Sequence, residues 1–130
     1  MIVLDASACV EILVGTAPDA TLIEAFLEPV YAPAHLDLEV LSTLRGLTLG
    51  RVISREKAEE AITVFYEMPI VRQEIWPLAW RVWELREEYT SYDAAYLALA
   101  EAFKASLYTC DKKLPGRLHS ADVRVFTSTQ

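Results

Sequence analysis

The chain has 130 residues, 53 % of them hydrophobic and 24 % charged, with only 4 Gly and 6 Pro. This composition excludes a disordered or low-complexity protein, and the length suits one domain, residues 1–130, with a core that needs no disulfide staples. A formal net charge of −7 argues against nucleic-acid binding through a global positive field, unless part of the acid forms a metal site whose cations reverse the local sign.

The opening segment, MIVLDASACVEILVG, is apolar but contains Asp5 and Glu11 and lacks a basic flank. It is therefore read as neither a secretion signal nor a membrane span, which implies a cytoplasmic protein. Residues 1–4 form a short β-branched run ended by Asp5, and residues 7–14 read as a helix stopped by Gly15. Asp19 or Thr21 caps a second helix through Glu28, and residues 30–32, between Pro29 and Pro33, make a short strand.

From His35, HLDLEVLSTLRGLTLG runs helically to Gly50, a C-terminal stop. Ser54 opens a helix that ends near Met68 and Pro69, followed by a strand over 70–75. Pro77 suits the first turn of a helix through about Tyr89, and Asp93 begins another, DAAYLALAEAFKA. Strands over 107–110 and 123–126 complete the chain. Short buried strands alternating with helices imply a parallel sheet with helices on both faces. Cys9 and Cys110 have no CxxC or zinc-ligand spacing and read as reduced thiols.

Against this background four carboxylates stand out. Asp5 and Asp111 fall at the carboxyl ends of strands, where open parallel sheets place their sites. Each also has a local explanation, Asp5 as a helix N-cap and Asp111 as a turn residue. Asp93 has the same capping explanation, but its helix carries no further charge until Glu101, which implies burial. Glu39 lies on the helix side that also carries Val40, Gly46, Leu47 and Gly50, whereas Asp37 points elsewhere and reads as a solvated first-turn acid. If the four acids converge they repel one another unless divalent cations neutralise them. All-oxygen ligation selects Mg²⁺, or Mn²⁺ as substitute, over zinc.

Four segments, MIVLDASACV, HLDLEVLSTLR, TSYDAAYLALAE and TCDKKL, in this order and spacing, resemble the PIN-domain ribonucleases, specifically the toxins of VapBC-type toxin-antitoxin pairs. The resemblance spans essentially the whole chain. It implies a three-layer α/β fold with a five-stranded parallel sheet flanked by helices, and a Mg²⁺-dependent endoribonuclease. Its site would be the quartet Asp5, Glu39, Asp93 and Asp111, with Ser7 and Thr109 as hydroxyl helpers that orient a ligand or water. It further implies a homodimer and a cognate antitoxin whose tail enters the acidic groove.

The expected reaction is hydrolysis of an RNA phosphodiester without a protein nucleophile. Arg45, Arg51, Lys112, Lys113 and Arg117 are the candidate RNA contacts, the last three adjoining a quartet acid. Trp76, Trp80 and Trp83 recur at helical spacing and read first as a core stripe, second as a dimer or antitoxin surface, and third as a base-stacking face. His35 and His119 are assigned no catalytic role, and Glu101 reads as a salt-bridged residue. Two other classes with a strand-terminal Asp, the aspartate-nucleophile phosphatases and the response-regulator receivers, require a second acid near Asp5, where this chain has Ala6 and Ser7. A catalytically inactive PIN-like module that binds protein or RNA is the remaining alternative.

Overall fold

The computed structural model describes residues 1–130. Strands β1 (Ile2–Leu4), β2 (Val30–Pro33), β3 (Ile70–Gln73), β4 (Ser106–Thr109) and β5 (Asp122–Val125) form one all-parallel sheet in the order β3-β2-β1-β4-β5. Six helices flank it: α1 (Ala6–Val14), α2 (Ala20–Glu24), α3 (Leu36–Leu49), α4 (Arg55–Glu67), α5 (Ala79–Glu84) and α6 (Ser91–Phe103). The α/β architecture read from the sequence is the one that forms.

The order of the strands positions the site. From β1 the chain moves outward to β2 and β3, then crosses back to β4 on the other side of β1 and ends at β5. Right-handed crossovers running in opposite directions place their helices on opposite faces. Accordingly α1, α3 and α4 pack on one another, while α6 packs on α5 and on the strands. The direction reverses between β1 and β4, and the crevice beyond the carboxyl ends of those two strands is where such sheets bind ligands. Asp5 follows β1 and Asp111 follows β4 by two residues.

β1 is buried at all three positions because it lies at the centre of the sheet with helices on both faces, so alternation disappears and a run of Ile, Val and Leu replaces it. α1 starts where Asp5 Oδ1 accepts from the Ala8 amide at 2.9 Å, satisfying one of the free donors of the first turn. α6 ends at Lys104 in the left-handed region (φ 51°), and the chain beyond α3 turns through Arg51 (φ 58°) rather than Gly50.

Four expectations change. The helix expected over 77–89 is a 3-10 turn, Trp76–Leu78, followed by α5 of only six residues. Its tryptophans are exposed, Trp76 by 78 %, Trp80 by 81 % and Trp83 by 59 %. This segment is apolar on more than one side, and the stripe that faces the core is Leu78, Val82 and Leu85, which has the same i, i+4, i+7 spacing as the tryptophans. Asp93 is not the cap of α6: Thr90 is, accepting from the Asp93 amide at 3.2 Å. Asp37 is not a free solvated acid, because Arg72 on β3 grips it through Nε at 2.9 Å and Nη2 at 3.3 Å.

Candidate functional site

Asp5 is 6 % exposed, and three protein donors converge on it. Ser7 Oγ donates to Oδ1 at 2.7 Å beside the Ala8 amide, and the hydroxyl of fully buried Thr109 donates to Oδ2. The two hydroxyls lie 3.2 Å apart. Each is itself fixed by the backbone after β4: Ser7 Oγ accepts from the Cys110 amide at 2.8 Å, and Thr109 Oγ1 from the Asp111 amide at 2.9 Å. The expected hydroxyl helpers thus tie the ends of β1 and β4 together around one carboxylate. Burial pushes the Asp5 carboxyl up to about 6, and the hydrogen bonds from Thr109, Ala8 and Ser7 offset only part of that rise.

Glu39, in the first turn of α3, is half-buried. Tyr96 Oη, from the almost fully buried side of α6, donates to its Oε1 at 2.7 Å. His35 Nε2 lies 3.3 Å from the same oxygen and 3.1 Å from the carbonyl of Tyr92. Burial raises the Glu39 carboxyl, but His35 and Tyr96 outweigh it and hold the group below its ordinary value. Sequence reading assigns His35 no catalytic role, and the structure places it against a quartet acid. The signal was its i, i+4 spacing to Glu39. Tyr96 was missed too, and its i, i+3 spacing from Asp93 was the available cue.

Asp93 is half-buried at the mouth of α6. Burial raises it, and the charges of Asp111 and Glu39 raise it further. Asp5 likewise feels Glu39 as a minor contribution after burial. Asp111 accepts from the Lys113 amide at 2.9 Å through Oδ1. The four acids are thus gathered from the ends of β1 and β4 and the first turns of α3 and α6, close enough that Glu39 disfavours the charge of Asp5, and Glu39 and Asp111 that of Asp93. No protein donor bonds Glu39 Oε2 or Asp111 Oδ2.

The quartet is open rather than caged: no three His, Cys, Asp or Glu side chains come close enough together to hold an ion between them. Hard oxygen donors with no Cys suit a hard divalent cation that keeps part of its water shell. They do not fit a zinc centre, which needs a closed tetrahedral shell.

Arg45, Arg51, Lys112, Lys113 and Arg117 are all exposed, and none pairs with a carboxylate. Glu101 lies outside the quartet, as expected: Arg81 Nε bonds it at 2.8 Å and holds its carboxyl down at about 2, despite partial burial. No helix is long and apolar enough to cross a membrane. Cys9 and Cys110 are free thiols.

A family model described as the PIN domain matches residues 2–116. The chain is 36 % identical over 127 residues to Ribonuclease VapC12 of Mycobacterium tuberculosis, covering 96 % of this chain and 98 % of that protein. It is 34 % identical over 114 residues to Ribonuclease VapC9 of the same organism, covering 88 % of each. Among solved structures, Mycobacterium tuberculosis VapC20, described as a sarcin-ricin loop cleaving toxin, superposes with a TM-score of 0.63 at 18 % identity over 88 % of this chain and 92 % of that one. A protein of Pyrobaculum aerophilum superposes with a TM-score of 0.66 at 22 % identity, over 87 % and 76 % of the two chains. At these identities the two structures speak for the fold alone.

Proposed function

The chain belongs to the PIN-domain family, among the VapC ribonucleases, and on that premise we propose that it is a Mg²⁺-dependent endoribonuclease, the toxin of a type II toxin-antitoxin pair. The reaction is hydrolysis of an RNA phosphodiester. The observation that carries this reading is buried Asp5 at the sheet's switch point, with Glu39 near enough to raise it, Glu39 and Asp111 near enough to raise Asp93, and Glu39 Oε2 and Asp111 Oδ2 free of protein donors.

Asp5, Glu39, Asp93 and Asp111 would hold the cation, some directly and some through water. When bound, Mg²⁺ supplies Lewis acidity, which activates water for in-line attack and neutralises charge developing at the phosphoryl group. Ser7 and Thr109 fix both oxygens of Asp5 and so fix its orientation. Lys112, Lys113 and Arg117 receive the RNA backbone beside Asp111, with Arg45 and Arg51 as further contacts. The partners are RNA, a cognate antitoxin and a second copy of the chain, in the cytoplasm. Exposed Trp76, Trp80 and Trp83 offer a protein-contact surface, since aromatic residues are enriched at interfaces.

The test incubates antitoxin-free protein with total RNA, with and without Mg²⁺, and maps the new ends. Cleavage by the wild type in Mg²⁺, abolished by EDTA and by Asp93→Asn, is the expected outcome. Undiminished cleavage in EDTA, or by Asp93→Asn, overturns it. The open spacing of the acids favours one second reading, a PIN-like binding module without catalysis. A Mn²⁺ titration separates the two, because the inert module binds no divalent ion at this site.

A further inference from the structure

Glu39 is held by a side chain of another helix, Tyr96 of α6, and by His35 at the N-terminus of its own helix. Tyr96 Oη and His35 Nε2 approach the same oxygen, Oε1, at 2.7 and 3.3 Å, while Oε2 receives no protein donor. Neither donor is free to wander. Tyr96 is 2 % exposed within the buried face of α6. His35 packs edge-on against Tyr96 with ring centroids 5.1 Å apart and against Tyr92 at 5.8 Å, and the Tyr92 carbonyl holds its Nε2 side at 3.1 Å.

Glu39 has three rotatable side-chain bonds and sits half-exposed on the first turn of α3. Left unanchored, it would sample rotamers that turn its carboxylate away from the crevice, and ordering it on cation binding would cost side-chain entropy. The Tyr96 hydrogen bond, with the His35 ring against the same oxygen, removes that freedom beforehand and presents the other oxygen. Bonds that orient a ligating carboxylate in this way commonly contribute 10–100-fold to metal affinity.

We propose that Tyr96 and His35 are positioning residues of the cation site: they clamp Oε1 of Glu39 so that Oε2 faces the crevice shared with Asp5, Asp93 and Asp111. This rests on the metal-site reading above. Through Tyr96 the clamp also joins α6 to α3, so the acid of one helix is aimed in part by another.

The experiment measures Mn²⁺ affinity by electron paramagnetic resonance of the free ion, together with the melting temperature of the metal-free protein. Tyr96→Phe removes one hydroxyl and keeps the ring, and His35→Phe keeps the aromatic packing while removing the nitrogen donor. Tyr96→Phe is expected to weaken Mn²⁺ binding by about 10-fold or more, and His35→Phe by less, about several-fold, given its longer contact. Should Tyr96→Phe not fold, His35→Phe alone decides the matter. Unchanged Mn²⁺ affinity in a folded variant, with or without a lower melting temperature, marks a purely structural contact and overturns the inference alone. A wild-type protein that binds no Mn²⁺ overturns the metal-site reading and the clamp with it.

Discussion

At the residue scale the Asp5 carboxylate opposes the fold it caps. Its folded-state value of about 6 lies above the ordinary value of 3.8, chiefly because it is buried. A carboxyl raised on folding takes up its proton more readily in the native state. Its charged form therefore costs stability above pH 6, and that cost is recovered as pH falls from about 6 towards 4. At pH 7 the cost is roughly 2–3 kcal/mol. Asp5→Asn is accordingly predicted to stabilise the metal-free protein by about 1–3 kcal/mol at pH 7, less at pH 4, and to abolish RNA cleavage. Calorimetry in EDTA at the two pH values checks the sign. A destabilised variant, or an equal gain at both pH values, counts against it. Asp5 was legible in the sequence because a strand-ending acid before a helix reads as an N-cap or a site acid; the structure shows the N-cap, and the site role belongs to the function proposed above. Tyr96 was not legible, because its contact to Glu39 depends on α3 and α6 meeting, and it is 57 residues away along the chain; His35 had only its i, i+4 spacing to Glu39 as a cue.

At the element scale, α1 shows how a buried acid can set both a helix end and a chain terminus. Glu11 is fully buried. Its Oε1 accepts from the Thr129 amide and Gln130 Nε2, both at 2.8 Å, and its Oε2 from the Thr129 hydroxyl. The Thr129 carbonyl in turn accepts from Thr16 Oγ1 at 2.6 Å, so the last residues are strapped across the end of α1. Gly15 closes the helix without a left-handed turn (φ −62°). It is glycine because a Cβ there would lie 2.4 Å from both the Glu11 carbonyl and its carboxylate. The sequence marked Gly15 as a helix stop, and the structure shows that space is what requires glycine there. An acid inside an apolar run announced that Glu11 needs partners, but nothing local named a residue 118 positions away. The α5 segment failed to read for a related reason: with two apolar stripes at one spacing, only the tertiary neighbours choose between them. Thr129→Val removes the donor to Oε2 while keeping the side-chain volume. Leaving a buried acceptor without its donor costs about 1–3 kcal/mol, so urea denaturation should show a loss of that order with an unchanged m-value. A loss below about 0.5 kcal/mol would mean the strap bears no load. Gly15→Ala should cost more, since the clashing atoms include backbone.

At the scale of the whole molecule, strand order lay beyond the sequence, since a parallel sheet is closed by contacts that no local pattern encodes. The alternation of strands and helices was nevertheless enough to place Asp5 and Asp111 at strand ends. Charge is the other global property. A chain of net charge −7 repels RNA at long range, so RNA binding requires local cations that no carboxylate engages. Lys112, Lys113 and Arg117 meet that requirement: they are exposed, unpaired and follow directly on Asp111. Arg55 does not, being engaged by Glu56 at 3.3 Å and Glu59 at 4.0 Å. Each phosphate contact on a single strand adds about 0.7 to the magnitude of the slope of log affinity against log salt. In an Asp5→Asn background, which prevents cleavage, the Lys113→Gln/Arg117→Gln double variant should bind single-stranded RNA more weakly and flatten that slope by about 1.4, as read by fluorescence anisotropy from low to physiological salt. Arg55→Gln should leave the slope unchanged. If the two substitutions behave alike, RNA reaches the acids by another route and the basic segment after β4 is ordinary solvated surface.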